Sequence, residues 1–138
     1  MKTAEEAYEE ALEGINIKEN EKIVLESKDI YCCYLFARDV LGANIKRFEE
    51  VILESKNTYY CLDFARDVKG ANIKAHEEVV LKSKNFWDCY HFARDVENSN
   101  KEELFKVVLE SGDKHWINNF LEDIEFNKEK FKNYLLFI

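Results

Sequence analysis

Proline is absent from the 138 residues and glycine occurs only four times, where average usage would give roughly seven prolines and nine or ten glycines. Few chain breakers leave little room for irregular loops, so the chain reads as nearly all helix. No apolar run approaches the length of a transmembrane span. Residues 1–14 alternate Glu with Ala and lack the basic start and apolar stretch of a secretory signal. The four cysteines, Cys32, Cys33, Cys61 and Cys89, include neither a CxxC pair nor a Cys/His set with zinc spacing. Reduced thiols in a cytoplasmic protein, with no metal and no cofactor, are therefore expected. Basic residues are also in deficit, 20 against 28 acidic, for a formal charge of −8. That balance disfavours a generic binder of nucleic acid or anionic membrane. What is present suffices for one domain: 46 % apolar and 14 % aromatic residues can fill a core.

The chain repeats with a period of 28. Phe36-Ala37-Arg38-Asp39-Val40 recurs as Phe64-Ala65-Arg66-Asp67-Val68 and Phe92-Ala93-Arg94-Asp95-Val96, with a worn copy at Phe120-Leu121-Glu122-Asp123-Ile124. The same step relates Asn16, Asn44, Asn72 and Asn100, and again Ser27, Ser55, Ser83 and Ser111. Blocks 43–70 and 71–98 agree at 17 of 28 positions, more than core patterning alone would fix, so the unit is a duplication.

Each unit reads as two short helices. The first follows an Asn able to cap it, and Asn16 with Glu19 has capping-box spacing. Its apolar stripe is Phe48, Val51, Ile52 and Ser55. The second starts after Asp29, Asn57, Asn85 or Asp113 and carries Cys61, Phe64, Ala65 and Val68 on one face. Gly14, Gly42 and Gly70 fall where a left-handed residue would stop it, with Asn98 in that place in the third unit. The expected architecture is all-α: a right-handed α-solenoid of antiparallel helix pairs, about ten helices in one domain. Residues 1–14 form an amino-terminal capping helix, 15–42, 43–70, 71–98 and 99–126 are repeats, and 127–138 form a carboxy-terminal capping helix. The apolar residues 135–138 either pack back or offer an end for homodimerisation.

This tandem pattern resembles the α-solenoids of the HEAT, armadillo and tetratricopeptide kind, although the unit is shorter. The unit Ala43-Asn44-Ile45-Lys46 to Val68-Lys69-Gly70 looks like repeats in uncharacterised bacterial and phage proteins. The resemblance carries no catalytic motif; it implies a scaffold for binding.

Three features invite a functional reading. The cysteines Cys33, Cys61 and Cys89 lie on the buried stripe as small core residues, leaving Cys32 as the one candidate reactive thiol. Arg38, Arg66 and Arg94 form a column that either bonds Asp39, Asp67 or Asp95 of a neighbouring unit or grips carboxylates and phosphates. Apart from its Arg, the face opposite the buried stripe varies between units, from Tyr31, Tyr34, Leu35 and Arg38 to Tyr59, Leu62, Asp63 and Arg66 and then Trp87, Tyr90, His91 and Arg94. Large aromatics beside Arg are the types enriched at interface hot spots. Tyr31, Tyr34, Arg38, Tyr59, Leu62, Arg66, Trp87, Tyr90, His91 and Arg94 are therefore the predicted partner-binding residues.

A non-catalytic protein that binds a protein partner through its second helices is the leading expectation. One specific form is a phage-type inhibitor of a host defence complex, an anti-CRISPR-like role. Nucleic-acid binding through the Arg column and stacking aromatics is the alternative, and the net charge opposes it. No nucleophile–base pair or phosphate loop points to an enzyme.

Overall fold

The computed structural model describes residues 1–136 and is all-α. Nine helices of 9–11 residues follow one another: α1 (Ala4–Leu12), α2 (Ile17–Ser27), α3 (Ile30–Asp39), α4 (Ile45–Ser55), α5 (Thr58–Asp67), α6 (Ile73–Ser83), α7 (Phe86–Asp95), α8 (Lys101–Ser111) and α9 (Lys114–Asp123). A 3₁₀ turn at Glu129–Phe131 and the four-residue α10 (Lys132–Leu135) end the described chain. Apart from that terminal pair, helices contact those one and two places along the chain and none farther away, which is solenoid connectivity.

Caps decide where most helices begin. The side chains of Asn44, Asn72 and Asn100 accept from the amides of Arg47, Ala75 and Glu103 at the starts of α4, α6 and α8. Asp29, Asn57, Asn85 and Asp113 do the same for α3, α5, α7 and α9. Asn16 departs from the expected capping box: it sits in the left-handed region at φ 47° with no cap bond, and its amide donates to Glu10 instead. The capping box lies one helix earlier, between Thr3 and Glu6. The recurrent serines lock the next junction. Ser55 Oγ donates to the Ile52 carbonyl and accepts from the Asn57 amide, and Ser27, Ser83 and Ser111 repeat both bonds.

Helix stops differ from the expected glycine rule. α3, α5 and α7 end at Val40, Val68 and Val96, each in extended backbone, and Gly42 and Gly70 come two residues later inside the turn at φ 85° and 87°. Only Gly14 directly follows a helix cap. Asn98 stays out of the left-handed region, and Lys101 Nζ holds that turn by donating to the carbonyls of Val96 and Glu97. The regular left-handed stop belongs to the even-numbered helices. Lys28, Lys56 and Lys84 take φ 55–57° there, and Gly112, the fourth glycine, takes φ 72°.

Two rows result. An even helix turns into the next odd one within two residues and meets it mainly near the junction. The five residues 40–44 let α3 lie broadly along α4, and α5 and α7 lie likewise along α6 and α8. Phe36, Phe64, Phe92 and Phe120 are fully buried on the odd row, with Phe36 stacked on Phe48 at 4.9 Å and Phe64 on His76 at 5.1 Å. The small residues Cys33, Ala37, Cys61, Ala65, Cys89 and Ala93 let odd helices approach one another more closely than even helices do.

On the even row a glutamate joins successive units. Glu21, Glu49 and Glu77 accept from the amides of Asn44, Asn72 and Asn100 at 2.8, 2.7 and 2.5 Å. The next residue in that register is Phe105, and it packs on Phe120, Phe126 and Phe131. Lys128 then stands where a capping Asn would be, so the expected carboxy-terminal helix over 127–138 is replaced by the 3₁₀ turn and α10. Phe137 and Ile138, part of the apolar end noted in the sequence, lie outside the described residues.

Candidate functional site

Six of the ten predicted partner-binding residues converge on one groove. Tyr59, Leu62 and Arg66 of α5 and Trp87, His91 and Arg94 of α7 line a cleft of about 320 Å³ with Thr58, Asp63, Asp88 and Asp95. Tyr59 and Trp87 are 63 % and 47 % exposed, unusual values for large aromatics in so well buried a chain. Trp87 lies against His91 with ring centroids 3.9 Å apart, and the His91 Nε2 beneath it is buried without a partner. Burial, and then the Arg94 charge, hold the His91 imidazole below its ordinary pKa, so the groove wall there is neutral.

The other four residues have different settings. Tyr31 is exposed on α3, outside this groove, its ring 6.3 Å from Tyr60. Tyr34 and Tyr90 are corrections to the expected surface: they are only 5 % and 4 % exposed. Their hydroxyls donate across to Asp67 and Asp123 at 2.5 Å, tying each odd helix to the next. Tyr8 donates to Asp39 in the same way. Burial, and then these carboxylates, raise the phenols of Tyr34 and Tyr90 above the usual value. Arg38 spans Tyr34 and Arg94 spans Tyr90, with guanidinium carbons 5.2 and 5.5 Å from the ring centroids.

The Arg column is also corrected. Each Arg bonds the Asp that follows it in sequence and not one in a neighbouring unit: Arg38 to Asp39 at 2.7 and 2.8 Å, Arg66 to Asp67 at 2.8 Å twice, Arg94 to Asp95 at 2.7 and 3.1 Å. These forks hold Asp39 and Asp67 below the usual carboxylate range. The link between units is the tyrosine, so a rung reads Tyr–Asp–Arg. Arg66 additionally reaches Asp63 at 3.1 Å, where burial raises the carboxyl despite the Arg66 charge.

Chemically, the groove offers an aromatic rim and charges already matched to one another. Cys32 is buried, not off the core, and burial followed by Asp29 pushes its thiol to about 11, which removes the candidate reactive thiolate. Cys33, Cys61 and Cys89 are pushed by burial to about 12, and the Cys33 and Cys89 thiols face the carbonyls of Val24 and Val80. Among the described residues no three His, Cys, Asp or Glu side chains are grouped to hold a metal ion, and no helix is long and apolar enough to cross a membrane. A larger cleft of about 610 Å³, between α9 and the carboxy-terminal segment, is lined by none of the ten predicted partner-binding residues but includes Leu135 and Leu136 of the apolar end.

Sequence reasoning missed Thr58, Asp88 and Asp95 as groove residues, and placed Asp63 on the variable face without counting it among the binding residues. The available signal was the column Tyr34, Leu62, Tyr90, in which a leucine without a hydroxyl interrupts the tyrosines. Comparison with protein-family models, with curated proteins and with solved structures returned no match.

Proposed function

We propose that the chain is a non-catalytic interaction protein that binds a protein partner through the odd-helix face, centred on the α5/α7 groove. The observation that carries this reading is the convergence of residues that differ between units, Leu62, Trp87 and His91 with Tyr59, and of the repeat arginines Arg66 and Arg94 on one open groove. Exposed Tyr and Trp supply large contact area at small cost in side-chain entropy, and the arginines beside them are already oriented. Pairing of every repeat arginine with an aspartate argues against the nucleic-acid alternative, because a phosphate backbone would have to displace a carboxylate at each step. A cytoplasmic setting accords with four free, buried thiols. The narrower role of a phage-type inhibitor of a host defence complex rests on the resemblance of the repeat unit. Homodimerisation through the exposed Tyr134 and Leu136 is a second contact open to test by sedimentation.

The test is co-purification from source cells with the wild-type chain and with a Tyr59→Ala, Arg66→Ala, Trp87→Ala variant whose helicity is checked by circular dichroism. A specific partner held by the wild type is expected to bind the variant at least about a hundredfold more weakly, the cumulative effect of losing hot-spot residues. A folded variant that keeps full affinity sinks the assignment of this surface.

A further inference from the structure

The α5/α7 groove exists where one rung of the odd-helix ladder is missing. A phenol from one odd helix reaches the aspartate that ends the next: Tyr8 to Asp39, Tyr34 to Asp67 and Tyr90 to Asp123. Tyr34 and Tyr90 stand 28 residues to either side of Leu62. The same spacing makes Asp95 the carboxylate due to receive a phenol from position 62. Leucine is shorter and has no hydroxyl, and Leu62 and Asp95 both line the groove. Asp67 takes three bonds, two from Arg66 and one from Tyr34, whereas Asp95 has only the two from Arg94. Of the other groove carboxylates, Asp63 is engaged by Arg66 and Asp88 by the Thr58 hydroxyl at 2.9 Å, while the His91 Nε2 is buried without a partner.

We infer that the groove seats a tyrosine side chain of the protein partner, its hydroxyl donating to Asp95 and its ring lying over Leu62 beside Trp87 and His91. The inference rests on the protein-binding reading of this surface. The equivalent positions 34 and 90 show what fills this place, and in both the filler is a phenol, while Tyr8 brings a phenol to Asp39 from another register. A partner lysine fits less well, because the guanidiniums of Arg66 and Arg94 already flank the groove. A phosphorylated tyrosine is disfavoured by Asp63, Asp88 and Asp95. An unmodified phenol adds a neutral donor that leaves every existing ion pair in place.

The experiment titrates the isotope-labelled chain with N-acetyl-tyrosinamide, N-acetyl-phenylalaninamide and N-acetyl-lysinamide, following backbone amide shifts. The tyrosine probe is expected to move resonances around Leu62, Trp87 and Asp95 and to bind about tenfold more tightly than the phenylalanine probe, the worth of one hydrogen bond to a charged acceptor. Leu62→Tyr, which supplies the missing rung from within, is expected to abolish that binding, and Asp95→Asn to weaken it about tenfold. Equal binding of the tyrosine and phenylalanine probes, preference for the lysine probe, or undiminished tyrosine binding by Leu62→Tyr overturns the assignment. If Leu62→Tyr fails to fold, Asp95→Asn decides the question alone. A captured partner separates this claim from the broader one: loss with the Tyr59, Arg66, Trp87 variant but retention by Leu62→Tyr leaves the surface standing and removes the tyrosine seat.

Discussion

The α3/α5 and α5/α7 interfaces are built on the same Phe-Ala-Arg-Asp-Val stretch, yet one is closed by Tyr34 on Asp67 and the other is open at Leu62. Their buried stripes match residue for residue, Cys33, Phe36, Ala37 and Val40 against Cys61, Phe64, Ala65 and Val68. The opposite faces differ at several positions, and the one that carries the link to the next odd helix is Tyr34 against Leu62. A duplicated solenoid can thus keep its stability on one stripe while exchanges on the other open a groove, because each unit packs only on its neighbours.

The largest expected effect tests the shared half of that comparison. Phe36→Ala, Phe64→Ala and Phe92→Ala each remove a fully buried ring from the common stripe and should each cost about 3–5 kcal/mol in urea unfolding followed by circular dichroism. Similar costs on both sides of the groove mean that it is a surface feature of a uniform core. A markedly smaller cost for Phe92→Ala would show that the opening reaches into the packing.

The rung itself comes next in size. Tyr34→Phe should cost about 1–2 kcal/mol, since it leaves the ring but removes the bond to a charged acceptor. Leu62→Tyr should raise stability by about 1 kcal/mol in the same assay by closing the open interface. If it destabilises, the α5/α7 spacing differs from its neighbours by more than one side chain.

Much of this organisation was legible from residues alone. The period, the Asx caps and the buried stripe of the odd helices are local or periodic signals, and the helices stand within a residue or two of where those signals put them. The orientation of polar side chains was not legible. Sequence spacing placed Tyr34 and Tyr90 on the variable face beside Tyr31, but a face that packs on the next odd helix buries half of its width, and the aspartates of that helix draw the phenols inward. Arg38, Arg66 and Arg94 were placed correctly but paired wrongly, because the following Asp is the last residue of each helix and its carboxylate is near enough for a fork. Glu21, Glu49 and Glu77 escaped notice because a glutamate that accepts a backbone amide 23 residues on looks like any solvated helix residue.

The even row shows the same contrast beneath these interfaces, with a pH signature. Phe48 packs on Phe36, whereas its counterpart His76 packs on Phe64. His76 Nε2 lies 2.9 Å from Glu49, while Nδ1 is buried without a partner, so protonation would bury an unpaired N–H. Burial holds the His76 pKa below its ordinary value against the pull of Glu49. As pH falls from 7 through the unfolded imidazole's range, the unfolded chain therefore takes the proton first and stability declines. Glu77, raised by burial, acts with opposite sign at lower pH, and is common to wild type and variant. His76→Leu, matching Leu104 in the same register, should remove about 1 kcal/mol of the loss between pH 7 and pH 5 in urea titrations at the two values. An unchanged slope would mean that His76 takes its proton as readily in the fold as in the unfolded chain, and a steeper loss in the variant would mean that it is protonated and paired with Glu49 at neutral pH.

The smallest effect asks whether the junctions, and not the rung, distinguish the two interfaces. Lys56 precedes α5 and Lys84 precedes α7, and both hold φ near 55°, a region that crowds the side chain of any L-residue and suits glycine. The equivalent Gly112 before α9 shows that the turn accepts glycine without change of form. Lys56→Gly and Lys84→Gly each relieve a strain of about 1–2 kcal/mol and lose part of it to the greater freedom of glycine in the unfolded chain, for a net gain of about 0.5–1 kcal/mol. Neither lysine bonds through its side chain across the α5/α7 groove, so the two gains should be equal in thermal melts. Unequal gains would locate part of the difference between the closed and open interfaces in backbone strain; equal gains leave it with Leu62.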